Sequence, residues 1–261
     1  MPACSKINAS GGVSFRKYRL NQRRKALERV FDMNYEALKI ATQVDSRNQM
    51  KNSKSVRFEN LSGEGTRVLF VGNSVTLHGP SESIGWYGDW GMAASAKDKD
   101  YVHLLEAHIK NKDENASFCI CNAADFERSY KDPEEAFGKF EDARTFGADV
   151  IIVKLGGNSP IEDFDATLFK KSFDTLMAFV NKSGKAKIIV ATEFVHHPSE
   201  EALVAYAKES GYPLCYLSDI ADHDEYKAIG LFEHGGVAGH PGDRGMREIA
   251  DRIIKELDQI I

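Results

Sequence analysis

The sequence predicts an α/β protein, a three-layer α/β/α sandwich around a central five-stranded parallel sheet, with a helical arm in front of it. Three observations carry this expectation. From residue 66 onward, apolar runs and amphipathic stretches alternate without a break. The runs are continuously apolar rather than alternating, as in strands covered on both faces. Between successive runs lie stretches of helical length, which parallel crossovers require.

The first strand is expected at 67–72, Arg-Val-Leu-Phe-Val-Gly, followed by a helix over 99–112. A second strand, 117–122, leads to a helix over 133–144. The third, 149–155, has Val-Ile-Ile-Val near its centre and precedes a helix over 164–181. The fourth, 187–193, is followed by a helix over 199–210, where Ser199 before Glu200 and Glu201 reads as an N-cap. A fifth strand at 213–217 and a helix over 243–259 complete the sandwich, which is expected to occupy residues 61–261.

Residues 1–60 differ in character. They hold 13 Lys and Arg against 5 Asp and Glu, whereas the whole chain carries a net charge of −5. Such a split can mark a nucleic-acid arm. The same segment, however, places Leu27, Phe31, Tyr35, Leu38 and Ala41 at steps of three and four, the spacing of an amphipathic helix. The expectation is therefore a helical arm with a polar linker at 45–54, packing on the acidic body or on a second copy in a homo-oligomer, with no nucleic-acid partner. No apolar run reaches the roughly 20 residues of a membrane span, so no membrane partner is expected. The first ten residues lack the apolar core of a secretory signal. Cysteines at 4, 119, 121 and 215 show no CxxC spacing and read as reduced thiols. The expected location is the cytoplasm.

Three short stretches converge on a site. Gly72-Asn73-Ser74 and Gly156-Gly157-Asn158 each close a predicted strand, and His240-Pro241 opens the last helical pattern. Carboxyl ends of strands line the functional crevice of an open parallel sheet. They would bring a hydroxyl, a side-chain amide and an imidazole to one place, which is the set acyl transfer needs. The expected activity is that of a serine esterase, hydrolysing carboxylic esters without metal or organic cofactor.

The blocks resemble those of the SGNH hydrolases, the GDSL-like esterases and lipases, over residues 66 to 259. That family has Gly-Asp-Ser where this chain has Gly72-Asn73-Ser74, Gly-x-Asn-Asp where it has Gly156-Gly157-Asn158-Ser159, and Asp-x-x-His-Pro before its last helix. The resemblance implies a flavodoxin-like sheet. It also implies Ser74 as nucleophile, His240 as base, and an oxyanion hole from Asn158 and the Ser74 amide. Two departures stand out. The block that normally offers a glycine amide reads Asn122-Ala123-Ala124-Asp125, so the further donor is expected from the N–H of Ala123 or Ala124. Where the family has Asp three residues before the histidine, this chain has Val237. A backbone carbonyl near Val237 or the Glu193 carboxylate would then orient His240; Glu233 and Asp243 stand nearby in sequence, Asp243 reading as a cap of the last helix.

A loop after Ser74 carries His78 and both tryptophans, Trp86 and Trp90, between glycines. It is expected to form a platform for a sugar ring or acyl chain, or else a satellite core. Deacetylation of carbohydrates, common in the resembled family, makes short acyl groups on a glycan the expected substrate. No histidine spacing suits zinc, the adjacent His196 and His197 pointing opposite ways in an extended segment. The competing readings are a non-catalytic binding relative of the same fold, which Val237 favours, and a scaffold protein working through its basic arm.

Overall fold

A computed structural model of the chain describes residues 50–61 and 63–261. The amphipathic segment at 27–41 lies outside the described residues. Six strands form one sheet: β1 (Val56–Glu59), β2 (Arg67–Gly72), β3 (Ser117–Asn122), β4 (Val150–Lys154), β5 (Lys187–Ala191) and β6 (Leu214–Cys215). Their order is β1-β3-β2-β4-β5-β6, and every pairing is parallel except β1 against β3. The five expected strands are all present, so the sheet is corrected from five strands to six. The additional one, Val-Arg-Phe-Glu, falls in the stretch expected to be arm and linker. It is an antiparallel edge strand with only Val56 buried, and such a strand carries no continuous apolar run to betray it.

Strand parity sorts the core into two halves. Leu69, Val71, Cys119, Cys121, Ile151, Val153, Ile188 and Val190 face one side. There they meet Phe169, Phe173 and Leu176 of α5 (Ala166–Val180) and Leu203 and Tyr206 of α6 (Ser199–Ser210). Val68, Phe70, Phe118, Ile120, Ile152 and Ile189 face the other side. They pack on Val102, Leu105 and Ile109 of α1 (Tyr101–Lys110) and on Met246, Ile249 and Ile253 of α8 (Asp243–Leu257). These are the three layers. Cys119, Cys121 and Cys215 are unpaired and buried, and burial pushes the Cys121 thiol up to about 12.

Shorter helices fill the connections: α2 (Ala124–Arg128), α3 (Glu134–Phe137), α4 (Glu141–Phe146) and α7 (Gly235–Ala238). The helix expected at 133–144 is broken by a 3₁₀ turn over Gly138–Phe140. Two capping expectations are corrected. Ser199 is the first residue of α6, its hydroxyl 2.8 Å from His197 Nδ1 rather than on the helix start. Asp243 accepts from Ser95 N at 2.8 Å and Ser95 Oγ at 2.7 Å and pairs with Lys99, so it anchors the loop before α1.

Register places the site. Gly72 pairs with Asn122 and Val71 with Val153, so β2, β3 and β4 end on one line. Gly156 just beyond β4 has φ +133°, and a Cβ there would stand 2.2 Å from Ser199 Oγ. Only glycine lets that turn lie against α6.

Candidate active site

Ser74 leaves the end of β2 in a tight turn, in which the N–H groups of Thr76 and Leu77 both donate to Asn73 O, at 2.9 and 3.0 Å. The turn aims Ser74 Oγ at His240 Nε2, 2.7 Å away. His240 follows α7. In a continued helix Gly236 O would accept from the N–H four residues on. His240 N turns instead to Val237 O at 3.0 Å, leaving Gly236 O unused by the backbone, as at any helix end. His240 Nδ1 donates to this carbonyl at 2.6 Å. The ring is thus held as the Nδ1–H tautomer, with Nε2 free to accept the serine proton. Burial holds the imidazole pKa below the ordinary 6.5, with the Lys154 charge acting the same way and Gly236 O and Glu193 opposing.

Of the two sequence alternatives for orienting His240, the carbonyl is therefore the one in contact. Val237 is buried with Trp86, Met92, Ala93 and Ala228. A carboxylate at 237 would be enclosed by apolar groups, the costliest surroundings for a charge. Glu233 is exposed.

Glu193 occupies a different place. Its Oε2 takes Lys154 Nζ at 2.5 Å, and its Oε1 accepts from Asn73 Nδ2 at 2.6 Å and Gly157 N at 3.1 Å. Beside it Glu127, on α2, accepts from Gly156 N at 2.5 Å, Asn158 Nδ2 at 2.5 Å and Asn73 Nδ2 at 3.1 Å. Asn73, Lys154, Glu127 and Glu193 are all buried. Burial would raise Glu193, but the Lys154 ammonium and the hydrogen bonds from Gly157 and Asn73 together outweigh it and hold the carboxyl below its usual range. Burial and the Glu193 charge push Glu127 up to about 7.

The network accounts for Asn at position 73 where the resembled family has Asp. Its two amide hydrogens each meet a buried carboxylate; an aspartate would meet them with a third negative charge and no donor. Asn73→Asp is expected to destabilise the fold by about 2 kcal/mol near neutral pH. A carboxylate so placed has a raised pKa, so its penalty shrinks as acid protonates it. Thermal unfolding at pH 5 and pH 8 checks this; an equal deficit at both would count against it.

The oxyanion donors need a correction. Ala123 N donates to Gly72 O at 2.6 Å and Ala124 N to Asn122 Oδ1 at 3.0 Å, because α2 starts directly at Ala124. Neither amide is directed at an incoming oxygen. Ser74 N has no hydrogen-bond partner among the described residues, and Asn158 Nδ2 has a second hydrogen beyond the one given to Glu127. Those two donors remain.

The loop aromatics follow the satellite-core reading rather than the platform. Trp86 is buried, its Nε1 donating to His78 O at 2.9 Å, and Trp90 crosses it edge-on at 5.7 Å. The ring left in the open is Tyr87, 72% exposed. His78 lines a cavity of about 760 Å³ with Ser74, Asn122, Asp125, Arg128 and Lys139. Ser74 also lines a second cavity of about 250 Å³, together with Asn158, Phe194, Val195 and His240.

Glu127, Lys154 and Gly236 were not among the residues singled out in the sequence. Lys154 had a signal, an ammonium inside an apolar run buried on both faces, which demands a buried counter-charge. Glu127 and Gly236 had none, since one depends on a short helix packing inward and the other on a backbone carbonyl.

The chain superposes on a two-domain esterase active on acetylated mannans, solved with mannopentaose, with TM-score 0.51 and 16% identity over 76% of this chain and 51% of that one. The two share a fold. This chain spans about half the length of that protein. A member of the lipolytic protein G-D-S-L family from Veillonella parvula DSM 2008 aligns with TM-score 0.49 and 15% identity, over 75% of this chain and 100% of that one. No protein-family model and no curated protein matches the sequence. The α/β/α sandwich expected from the sequence is therefore seen both in the chain itself and in its likeness to a solved esterase. Among the described residues, no helix is long and apolar enough to cross a membrane.

Proposed function

We propose that this protein is a serine esterase that removes short acyl groups, acetyl above all, from a carbohydrate or similar hydroxyl-rich compound. The observation that carries the reading is the Ser74 Oγ to His240 Nε2 contact of 2.7 Å, with the ring fixed from behind by Gly236 O at 2.6 Å. His240 Nε2 takes the Ser74 proton as Oγ bonds to the ester carbonyl carbon. The resulting oxyanion receives hydrogen bonds from Ser74 N and Asn158 Nδ2, a contribution of about 3 kcal/mol per donor at the transition state. His240 returns the proton to the departing alkoxide, and water, deprotonated by the same ring, then releases the acid. No step requires a metal or organic cofactor.

Cavity chemistry supports the substrate class. The larger cavity is lined by ionic and amide side chains that suit a sugar's hydroxyls, and the smaller, with Val195 and Phe194, suits a short acyl group. The fold is also shared with a protein active on acetylated mannans.

Exposure to a fluorophosphonate followed by intact-mass spectrometry tests the reading. Wild-type protein is expected to gain one adduct and Ser74→Ala none, with hydrolysis of acetylated sugars lost in the same variant. A folded wild-type protein that takes no adduct would leave a binding role for the fold.

A further inference from the structure

Away from Ser74, β1 and α1 bring a second set of side chains together. Glu59 ends β1. His103 and Glu106 stand three residues apart on α1 and so share one face of that helix. One ligand atom from each of the three lies within 4.8 Å of the others. His103 is oriented from behind, its Nδ1 2.7 Å from Asp100 Oδ1, while its Nε2 faces Glu59 Oε1 at 3.2 Å. A carboxylate behind an imidazole is the arrangement that aims a metal-binding histidine. Asp100 is itself fully buried and fixed, accepting from the N–H of His103 and of Gly91, both at 2.8 Å.

A separate observation points to a cation. Glu106 is buried, and its Oε1 has no hydrogen-bond partner. The nearest ammonium, Lys110, reaches only Oε2, at 3.4 Å. An ion or a water would satisfy such an orphaned oxygen, and of the two only a cation also offsets the charge of a buried carboxylate. Glu59 and His103 also line a cavity of about 330 Å³ beside β1, a route for an ion from solvent. The charge that faces the cluster from outside is Lys97, half-exposed and paired with Glu59 Oε1.

We propose that Glu59, His103 and Glu106 bind a divalent transition ion of the zinc type, with Asp100 as the outer partner of His103 and water completing the shell. One imidazole and two carboxylates suit zinc better than magnesium, which favours oxygen alone. The ion fastens the edge strand β1, held by backbone pairing on one side only, to α1. Lys97 competes with it for Glu59. The sequence showed no such motif because one ligand comes from a strand more than forty residues before the other two.

The test uses the full chain, stripped with EDTA, dialysed and titrated with zinc chloride, magnesium chloride serving as control. Wild-type protein is expected to retain one zinc per chain by elemental analysis. Its unfolding midpoint is expected to rise by about 5 °C or more at saturation, with no rise in magnesium. Glu106→Gln, which keeps the side-chain volume, is expected to weaken zinc binding at least about tenfold. Lys97→Met is expected to tighten it several-fold, and being a change at a half-exposed side chain it gives a readout even if Glu106→Gln fails to fold. No retained zinc and no midpoint shift in wild type would overturn the site. So would zinc binding that neither variant alters, which would place the ion elsewhere.

Discussion

Replacing His240 with alanine is expected to lower kcat toward a short-chain acetyl ester by on the order of 10⁴-fold or more. On the proposed mechanism, loss of the ring removes both the acceptor of the Ser74 proton and the donor to the leaving alkoxide, so neither half of the reaction would keep its proton carrier. KM is expected to change little, because the ring lines only the smaller of the two cavities, and there as one residue among many. On the same mechanism His240 sets the pH profile. His240 acts as a base only when neutral, and burial holds its pKa below 6.5. Activity should therefore rise with pH, reach half its maximum below pH 6.5, and be flat through neutrality. Initial rates in overlapping buffers measure this directly. A half-maximum above pH 7 would mean that the ring is stabilised in its charged form, and the Gly236 carbonyl would then be the wrong account of its surroundings. The absence of a contacting carboxylate has a definite consequence: Gly236 O fixes the tautomer as an acid would, but supplies only a dipole to the charged ring, so turnover is expected to fall short of a full triad.

The largest effect on stability is expected from Lys154→Met. Lys154 is fully buried, and its ammonium is the positive group in direct contact with Glu193. Removing one partner of a buried pair leaves an uncompensated charge and costs about 3–5 kcal/mol. For a body of this size that is a fall in unfolding midpoint of about 10 °C. The damage spreads beyond the pair, because Glu193 and Glu127 share Asn73 and hold Gly156, Gly157 and Asn158 by their N–H groups. Asn158 and the turn that carries Ser74 should loosen together, so on the proposed mechanism kcat is expected to fall along with stability. Lys154→Met combined with Glu193→Gln should recover part of the stability, since position 193 then no longer holds a buried charge without its partner. Urea unfolding of the single and double variants measures both. A loss within about 1 kcal/mol for the single variant would mean that water reaches the pair.

Much of the fold was legible because the sheet interior imposes a rule on every central strand. The runs 67–72, 117–122, 149–155 and 187–193 are apolar on both faces, and all four are strands of the parallel core. The rule fails at the sheet edges. Val56–Glu59 buries one residue, and only Leu214–Cys215 of the run 213–217 pairs as strand. Neither edge needs a two-sided apolar run.

Ser74, Asn158 and His240 were legible one by one as residues closing strands or opening a helix, and strand order then brought them to one edge of the sheet. The surrounding support was not. Nothing in the local sequence tells that Ala123 and Ala124 spend their amides on Gly72 and Asn122, since those partners are set by where α2 begins. Nor does it tell that Trp86 turns inward over Val237.

What the sequence determined by itself is the parallel sandwich, the serine and amide that close its strands and the histidine ahead of its last helix, because periodicity and the positions of element ends are local properties of the chain. What only the tertiary structure decided is who holds these groups: a carbonyl behind His240, two buried glutamates and a lysine beneath Asn73 and Asn158. Hydrogen bonds and buried charges find partners by proximity in space, and residues such as Glu127 and Lys154, or Gly236 and His240, become neighbours only when the layers close.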